Sequence, residues 1–232
     1  MDDAATNIIE CIHCQQNLRI PAKLAAIRIT CPKCRSQWIE FPYKIVALTQ
    51  GTPAWLDWRN QGLGASDAPA IMGENPWKSR ERLLKEKLNE SSFGQNDAMR
   101  RGTELEPEAR SRYEQLTGIR VRPVCLESTR FDWLRASIDG LAHDGGSVVE
   151  IKCGDSVYRH AASEHQVPQY YFGQLQHILA VTGLSGIDFW CYLPGCPEVH
   201  LRIDRDGHYI DRLLEAELDF WQEVKRQRRV HG

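Results

Sequence analysis

The sequence predicts an α/β domain, with helices packed on a mixed central sheet, preceded by a small metal-stapled module. Three observations lead there. Helix-like and strand-like periodicities alternate along most of the chain, which argues for layered helices and sheet. Two Cys-x2-Cys pairs, Cys11/Cys14 and Cys31/Cys34, stand near the start with sixteen residues between them. The chain has 232 residues, 42% hydrophobic and 26% charged, enough for one ordinary α/β core plus an appendage.

The module is expected over residues 1–48. Two cysteine pairs at this spacing suit a four-thiolate zinc site. Leu18-Arg-Ile-Pro21 and Ile27-Arg-Ile-Thr30 are strand-like, and the knuckles Cys-Ile-His-Cys and Cys-Pro-Lys-Cys resemble small bacterial zinc ribbons. Two disulfides are the competing reading, disfavoured because the acidic start, Met-Asp-Asp-Ala-Ala-Thr-Asn, shows no secretory signal. A cytoplasmic protein is expected. No apolar run approaches a membrane span. Cys125, Cys153, Cys191 and Cys196 lack the spacing of a four-cysteine iron–sulfur site and read as buried free thiols.

The second unit is expected over residues 49–232. Gln50-Gly-Thr-Pro53 supplies turn composition at its start. A helix follows over Pro53–Asn60, with proline in the permitted first turn. Gly62-Leu-Gly64 ends it, and Ser66 is expected to cap a short helix through Asp67–Met72. Ser79 opens a helix over Arg80–Asn89, where Leu83, Leu84 and Leu88 form an apolar stripe. The next helix, Asp97–Leu116, ends at Gly118 and contains Pro107, which predicts a kink or a restart. Strands are expected near 119–127, 131–142 and 147–153, then helices near 155–163 and 168–182. Strands at 186–193 and 197–204 and a helix over 207–229 complete the chain. No internal repeat is evident.

Asp144-Gly145 is the strongest turn signal and suits a two-residue type I′ hairpin. With that loop, position 143 faces 146 and Asp139 faces Glu150. Carboxylates opposed across a sheet sit only ~5 Å apart and repel. A divalent cation between them resolves the conflict, and oxygen ligands suit magnesium or manganese. Lys152 shares the face of Glu150, while Val149 and Ile151 point into a core. Two acids and a lysine around such an ion can activate water and stabilise charge on a phosphoryl group. A plain hairpin with solvated charges is the alternative.

Asp139…Glu150-Ile151-Lys152 resembles the core of the PD-(D/E)xK nucleases, with Ile138 in place of the proline. Three further blocks accompany it: Trp55-Leu-Asp-Trp-Arg59 leading to Ser66-Asp67, Arg101-Gly-Thr-Glu-Leu-Glu106-Pro-Glu-Ala-Arg110, and Gln169-Tyr-Tyr-Phe-Gly-Gln174-Leu-Gln176-His177. In this order, over roughly residues 50–229, they resemble the lambda exonuclease and YqaJ-like viral recombinase family. The resemblance implies a restriction-endonuclease-like core. It implies that Asp139, Glu150 and the Ile151 carbonyl hold magnesium, that Lys152 and Gln174 position the water, and that Glu106 assists. Glu104 and Glu108 stay open as alternatives, because one sequence does not fix the helix phase. A simple Glu106–Arg110 pair at i,i+4 is the plain reading. Arg59, Ser66 and Ser137 match an anchor for a terminal 5′-phosphate, where a guanidinium and hydroxyls supply donors. Gln176 should face away from Gln174. Tyr170 and Tyr171 read as core, with base stacking as the alternative.

The resemblance thus implies a metal-dependent 5′-to-3′ exonuclease on duplex DNA ends, serving phage-type recombination with a single-strand annealing protein. It also implies a phage or prophage origin, a bacterial host and a homo-oligomer, the phage enzyme being a ring of three subunits. An endonuclease of the same superfamily and a non-catalytic zinc-ribbon DNA adaptor are the rival functions. A formal net charge of −2 gives no global pull on DNA, so attraction must be local. Arg100 with Arg101, Arg120 with Arg122, and the ribbon's Arg19, Lys23, Arg28, Lys33 and Arg35 are candidates. Lys225–Arg229 reads as a solvated helix end.

Overall fold

The computed structural model of the protein describes residues 6–21, 27–88 and 97–231. Lys23 and Asn89, named above, lie outside them.

The N-terminal module is two β-hairpins, each turning through one cysteine knuckle. Strand β1 (Thr6–Glu10) pairs with β2 (Asn17–Pro21), and β3 (Ile27–Thr30) with β4 (Gln37–Glu40), both antiparallel. The knuckles are built alike. Cys11 N donates to Gln16 O as Cys31 N does to Ser36 O, and Gln15 and Arg35 both adopt left-handed φ, +59° and +63°. Ile9, Cys11, Cys14 and Leu18 therefore recur as Ile29, Cys31, Cys34 and Trp38. The expectation of no internal repeat is corrected: outside the cysteines the two copies keep chemical type more than identity. Leu18, Ile29, Cys11 and Cys31 form a small buried core.

The main sheet has six strands in the order β10-β9-β8-β7-β6-β5. These are β5 (Tyr43–Val46), β6 (Val121–Ser128), β7 (Arg135–Ala142), β8 (Val148–Lys152), β9 (Gly186–Cys191) and β10 (Val199–Asp204). Only β8 and β9 run parallel; the other neighbours are antiparallel. The expected boundary at residue 48 falls too late, since Tyr43–Val46 already pairs with Ser128–Cys125. This short strand covers what would otherwise be an open edge of β6.

The β7–β8 hairpin is not a type I′ turn. Its connection is His143–Gly146, with Ala142 N on Ser147 O and Gly145 N on Ala142 O, both at 2.9 Å. Only Gly145 has positive φ, +72°. Asp144 Oδ1 accepts the Gly146 amide at 2.8 Å, a local bond that favours this turn over the left-handed conformation a type I′ loop asks of Asp144. The loop grew by one residue on each side, so Gly140 faces Val149 and Leu141 faces Val148, the alignment expected from the sequence.

Strand β7 carries an irregularity at the decisive place. Val124 pairs with Ile138, but Arg122 pairs with Leu141. Asp139 and Gly140 thus stand opposite Pro123 alone, a β-bulge. Pro123 has no amide to leave unpaired there. A Cβ on Gly140 would meet Val149 Cγ1 at 2.6 Å and Val121 Cγ2 at 2.7 Å, so only glycine fits.

Helices cover both sheet faces. They are α1 (Pro53–Asn60), α2 (Ala68–Ile71), α3 (Arg80–Leu88), α4 (Asp97–Thr117), α5 (Asp155–Glu164), α6 (Gln169–Thr182) and α7 (Gly207–His231). Thr52 caps α1 and Ser79 caps α3. Ser66 caps nothing. It lies inside a 3-10 turn, 65–67, which Asp67 closes by accepting Gly64 N at 3.0 Å. Pro107 does not restart α4, which runs unbroken through it. Ala109 and Tyr113, the turns beyond it, are buried against Val149, Ile151 and Trp190, packing that carries the helix through. On the opposite face Ile138, Val148 and Phe189 pack with Leu175, Ile178 and Phe220 in the larger core.

Candidate active site

At the bulge, β7 and β8 exchange ladder bonds for side-chain ones. Asp139 Oδ2 accepts the Ile151 amide at 2.9 Å. Arg110, on α4, donates Nε to the Asp139 carbonyl at 2.8 Å and its other arm to Glu106. Glu150 is 2% exposed. Its Oε1 accepts from Lys152 Nζ at 2.6 Å and from Gln174 Nε2 at 2.5 Å, while its Oε2 is buried with no hydrogen-bond partner among the described residues. The site therefore lies between α4 and α6, over the end of β8. The five residues Glu106, Asp139, Glu150, Lys152 and Gln174 come together, and so does Ile151.

Their electrostatics are those of crowded negative charge. Burial first, and Asp139 second, push both Glu106 and Glu150 up to about 7. Burial raises Asp139 as well, opposed by Lys152 and by the Ile151 amide. Burial opposes the Lys152 charge, but Glu150, Tyr171 and Asp139 outweigh it and hold the ammonium protonated well above its usual range. An orphaned, buried carboxylate oxygen beside two further acids fits a hard divalent cation. Lys152 and Arg110 already take up one oxygen each of Glu150 and Glu106. Among the described residues, only the four cysteines gather three or more His, Cys, Asp or Glu ligand atoms within 4.8 Å of one another.

The three anchor candidates are also brought together. Arg59 donates to Ser66 Oγ at 2.7 Å, and its guanidinium lies 4.6 Å from the Trp55 ring centroid. Trp55 Nε1 donates to Ser137 Oγ at 2.8 Å. Ser137 stands two residues before Asp139 on β7, about 7 Å along the strand. The turn after α1 is tied to that strand, with Leu63 N on Trp133 O at 2.7 Å and Arg135 N on Leu63 O at 3.0 Å.

Two features of this region were missed in the sequence. Trp55 joins Arg59 to Ser137; its position four residues before Arg59 on a helix was the available signal. Beneath the anchor, Lys87 Nζ pairs with Asp67 Oδ2 at 2.7 Å and donates to the Arg59 and Gly62 carbonyls. Both side chains are buried, and nothing local in sequence announces their contact. Burial resists the Asp67 charge, but Lys87 and Arg59 hold its carboxyl below the usual range.

Other expectations sort by geometry. Glu104 is exposed near Arg100, and Glu108 accepts from Tyr192 Oη at 2.5 Å, so Glu106 is the acid of α4 that reaches the site. The simple Glu106–Arg110 pair exists too, within the site itself. Gln176 faces away, bonded to the Asp204 carbonyl and the Asp206 amide. Tyr171 is half-buried, packed against the larger core and beside Lys152, whereas Tyr170 is half-buried between Tyr171 and Trp77. Arg228, read as solvated, instead donates to the Asn60 and Lys87 carbonyls. Cys125 and Cys191 are buried, whereas Cys153 and Cys196 are only half-buried; all are free thiols.

In the ribbon, Cys11 Sγ lies 3.6 Å from Cys34 Sγ, and Cys14 Sγ 3.6 Å from Cys31 Sγ. Four thiolates around zinc at ~2.3 Å would stand ~3.8 Å apart, so the cluster fits that ion. No disulfide joins them.

Several known proteins are similar to this chain. The model of the YqaJ-like viral recombinase domain matches residues 54–185, more than half of the chain. The uncharacterized protein YqaJ of Bacillus subtilis (strain 168) is 29% identical over 175 residues, 73% of this chain and 55% of that protein. The chain thus spans just over half the length of this curated relative. Among solved structures, the alkaline exonuclease LHK-Exo of Laribacter hongkongensis superposes with a TM-score of 0.69 at 28% identity. That match covers 77% of this chain and 95% of the other. A phage related exonuclease from Haemophilus somnus 129PT, at 15% identity and a TM-score of 0.57 over 75% and 99% of the two chains, shares the fold. The matched span carries the bulge, the acids, the lysine, the glutamine and the anchor, and so the chain belongs to the YqaJ-like viral recombinase domain family.

Proposed function

We propose that the protein is a divalent-metal-dependent deoxyribonuclease, a 5′-to-3′ exonuclease on duplex DNA ends in phage-type recombination. One observation carries the reading: the buried Glu150 Oε2, unpartnered among the described residues, beside Asp139 and Lys152. Asp139, Glu150 and the Ile151 carbonyl would hold magnesium or manganese. Such an ion, when bound, lowers the pKa of a water and neutralises phosphoryl charge. Lys152 and Gln174, both on Glu150 Oε1, orient the carboxylate and offer donors to water or phosphate. Glu106, whose carboxyl burial and Asp139 push up to about 7, would supply a proton acceptor at the same edge.

Arg59, Ser66 and Ser137 give the polarity, as donors for a terminal 5′-phosphate. The structural relative at 28% identity, an alkaline exonuclease, supports the reaction class. A structural zinc in the ribbon, a homo-oligomer such as a trimeric ring, a single-strand annealing partner and a cytoplasmic site of action belong to the same reading.

The test is a 5′-phosphorylated linear duplex, labelled at either end, beside a covalently closed circle, with magnesium or EDTA. Loss of label from the 5′ end first, an untouched circle and no reaction in EDTA are expected. Cutting of the circle would assign an endonuclease, and binding without cleavage a DNA adaptor.

A further inference from the structure

An aromatic series runs from the acidic site to solvent. Lys152 Nζ sits 4.7 Å from the Tyr171 ring centroid, Tyr171 lies 4.7 Å from Tyr170, and Tyr170 meets Trp77 at 4.7 Å and 75°. Tyr170 precedes Gln174 by four residues, so both occupy one face of α6. Trp77 is 67% exposed, although it is the side chain with most apolar area to hide. Its backbone is nevertheless fixed. Asn75 Oδ1 accepts the amides of Trp77 and Lys78 at 2.9 and 3.0 Å, and Asn75 N and Glu74 N both donate to the Pro69 carbonyl. A large ring held out on a rigid turn loses little freedom when a flat partner covers it.

We propose that Trp77, backed by Tyr170, is a stacking platform for an unpaired base at the DNA end held in the site, a proposal that rests on the nuclease reading. The ring series is continuous with the site's lysine, which ties the platform to the strand being held there. Stacking on an aromatic face is sequence-tolerant, as an enzyme that consumes any sequence requires. Bases inside a duplex have both faces covered, so the platform engages only once the terminal pairs have opened, and it favours opening by offering an alternative stack. A second copy of this chain is the rival occupant of the exposed ring.

The test uses the full chain, with calcium in place of magnesium to hold DNA uncut. Binding of 5′-phosphorylated duplexes with frayed, mismatched ends is followed by fluorescence anisotropy, and assembly by light scattering. Trp77→Ala should weaken binding of the frayed end about ten-fold, and Trp77→Phe should restore most of it, with the oligomeric state unchanged. Undiminished binding by Trp77→Ala overturns the platform. So does a loss that accompanies a changed oligomeric state, which would assign the ring to a contact between copies. A wild-type chain that neither binds nor degrades DNA removes the nuclease reading and the platform with it. A wild type that degrades DNA beside a Trp77→Ala variant that binds as well removes the platform alone.

Discussion

Withdrawing the divalent ion should destabilise the protein in a pH-dependent way, and Glu150 sets the scale. Its carboxyl is raised from 4.5 to about 7, by burial first and by Asp139 second. At about 1.4 kcal/mol for each tenfold change in acidity, that rise amounts to about 3 kcal/mol against the metal-free folded state once the group is ionised. An acid raised in the folded state is harder to ionise there than in the unfolded chain. The penalty is therefore absent below the unfolded value, grows between 4.5 and about 7, and is complete above that window. A cation on the carboxylate cancels it. In a domain of this size, about 1 kcal/mol moves the melting midpoint by about 2–4 °C, so the gap between magnesium-loaded and metal-free protein should open by roughly 6–12 °C from about pH 5 to about pH 8. Thermal melts in EDTA and in magnesium across that range measure the gap. Glu150→Gln should remove this share and leave the part contributed by Glu106, which is likewise raised to about 7. A gap that does not change with pH, or a Glu150→Gln variant with the full pH dependence, would refute the assignment of Glu150 as the ion's buried ligand.

Four further outcomes are expected. Asp139→Ala should abolish cleavage with magnesium while leaving the circular dichroism spectrum unchanged; retained activity would remove Asp139 from the site. Arg59→Ala, which deletes a charge-assisted contact of about 1.5–3 kcal/mol, should lower the rate on 5′-phosphorylated ends about ten- to a hundred-fold and leave the rate on 5′-hydroxyl ends nearly unchanged. Breaking the buried pair by Lys87→Met should cost about 3–5 kcal/mol in a denaturant melt, and adding Asp67→Asn should recover part of that loss. Protein purified under reducing conditions should contain one zinc per chain by elemental analysis, and Cys31→Ser should lose it and expose the ribbon to protease.

Helix ends were legible because their causes are local. Thr52 and Ser79 cap within three residues, and Gly118 and Gly183 take left-handed φ where α4 and α6 stop. The alignment of the hairpin, with Gly140 opposite Val149, was legible because it depends only on where the hairpin is centred. Ser66 misled as a cap because its neighbour Asp67 holds the Gly64 amide instead. The bulge at Asp139–Gly140 depends on Pro123, sixteen residues earlier, and no local pattern links them. The Asp67–Lys87 pair joins a turn to the far end of α3, and Trp55 reaches Ser137 across 82 residues. The placement of Tyr43–Val46 in the main sheet was hidden for the same reason: its partner strand begins at Val121.

The connection His143–Gly146 also carries an arithmetic for the protein's descent. Asp139 and Glu150 face each other as long as the two arms of the hairpin stay equal. A tip longer or shorter by two residues, one from each arm, leaves the acids where they are. A change of one residue that is carried into an arm, and not absorbed by the tip as an odd-length loop, hands the place of Glu150 to a neighbour such as Val149 or Ile151 and extinguishes the site without touching any acid. Growth at the tip is further confined on one side, where a Cβ on Gly145 would already meet Phe41 Cζ at 2.6 Å. Viable length variants of this hairpin should therefore either differ from this chain by even numbers or keep the odd residue within the tip.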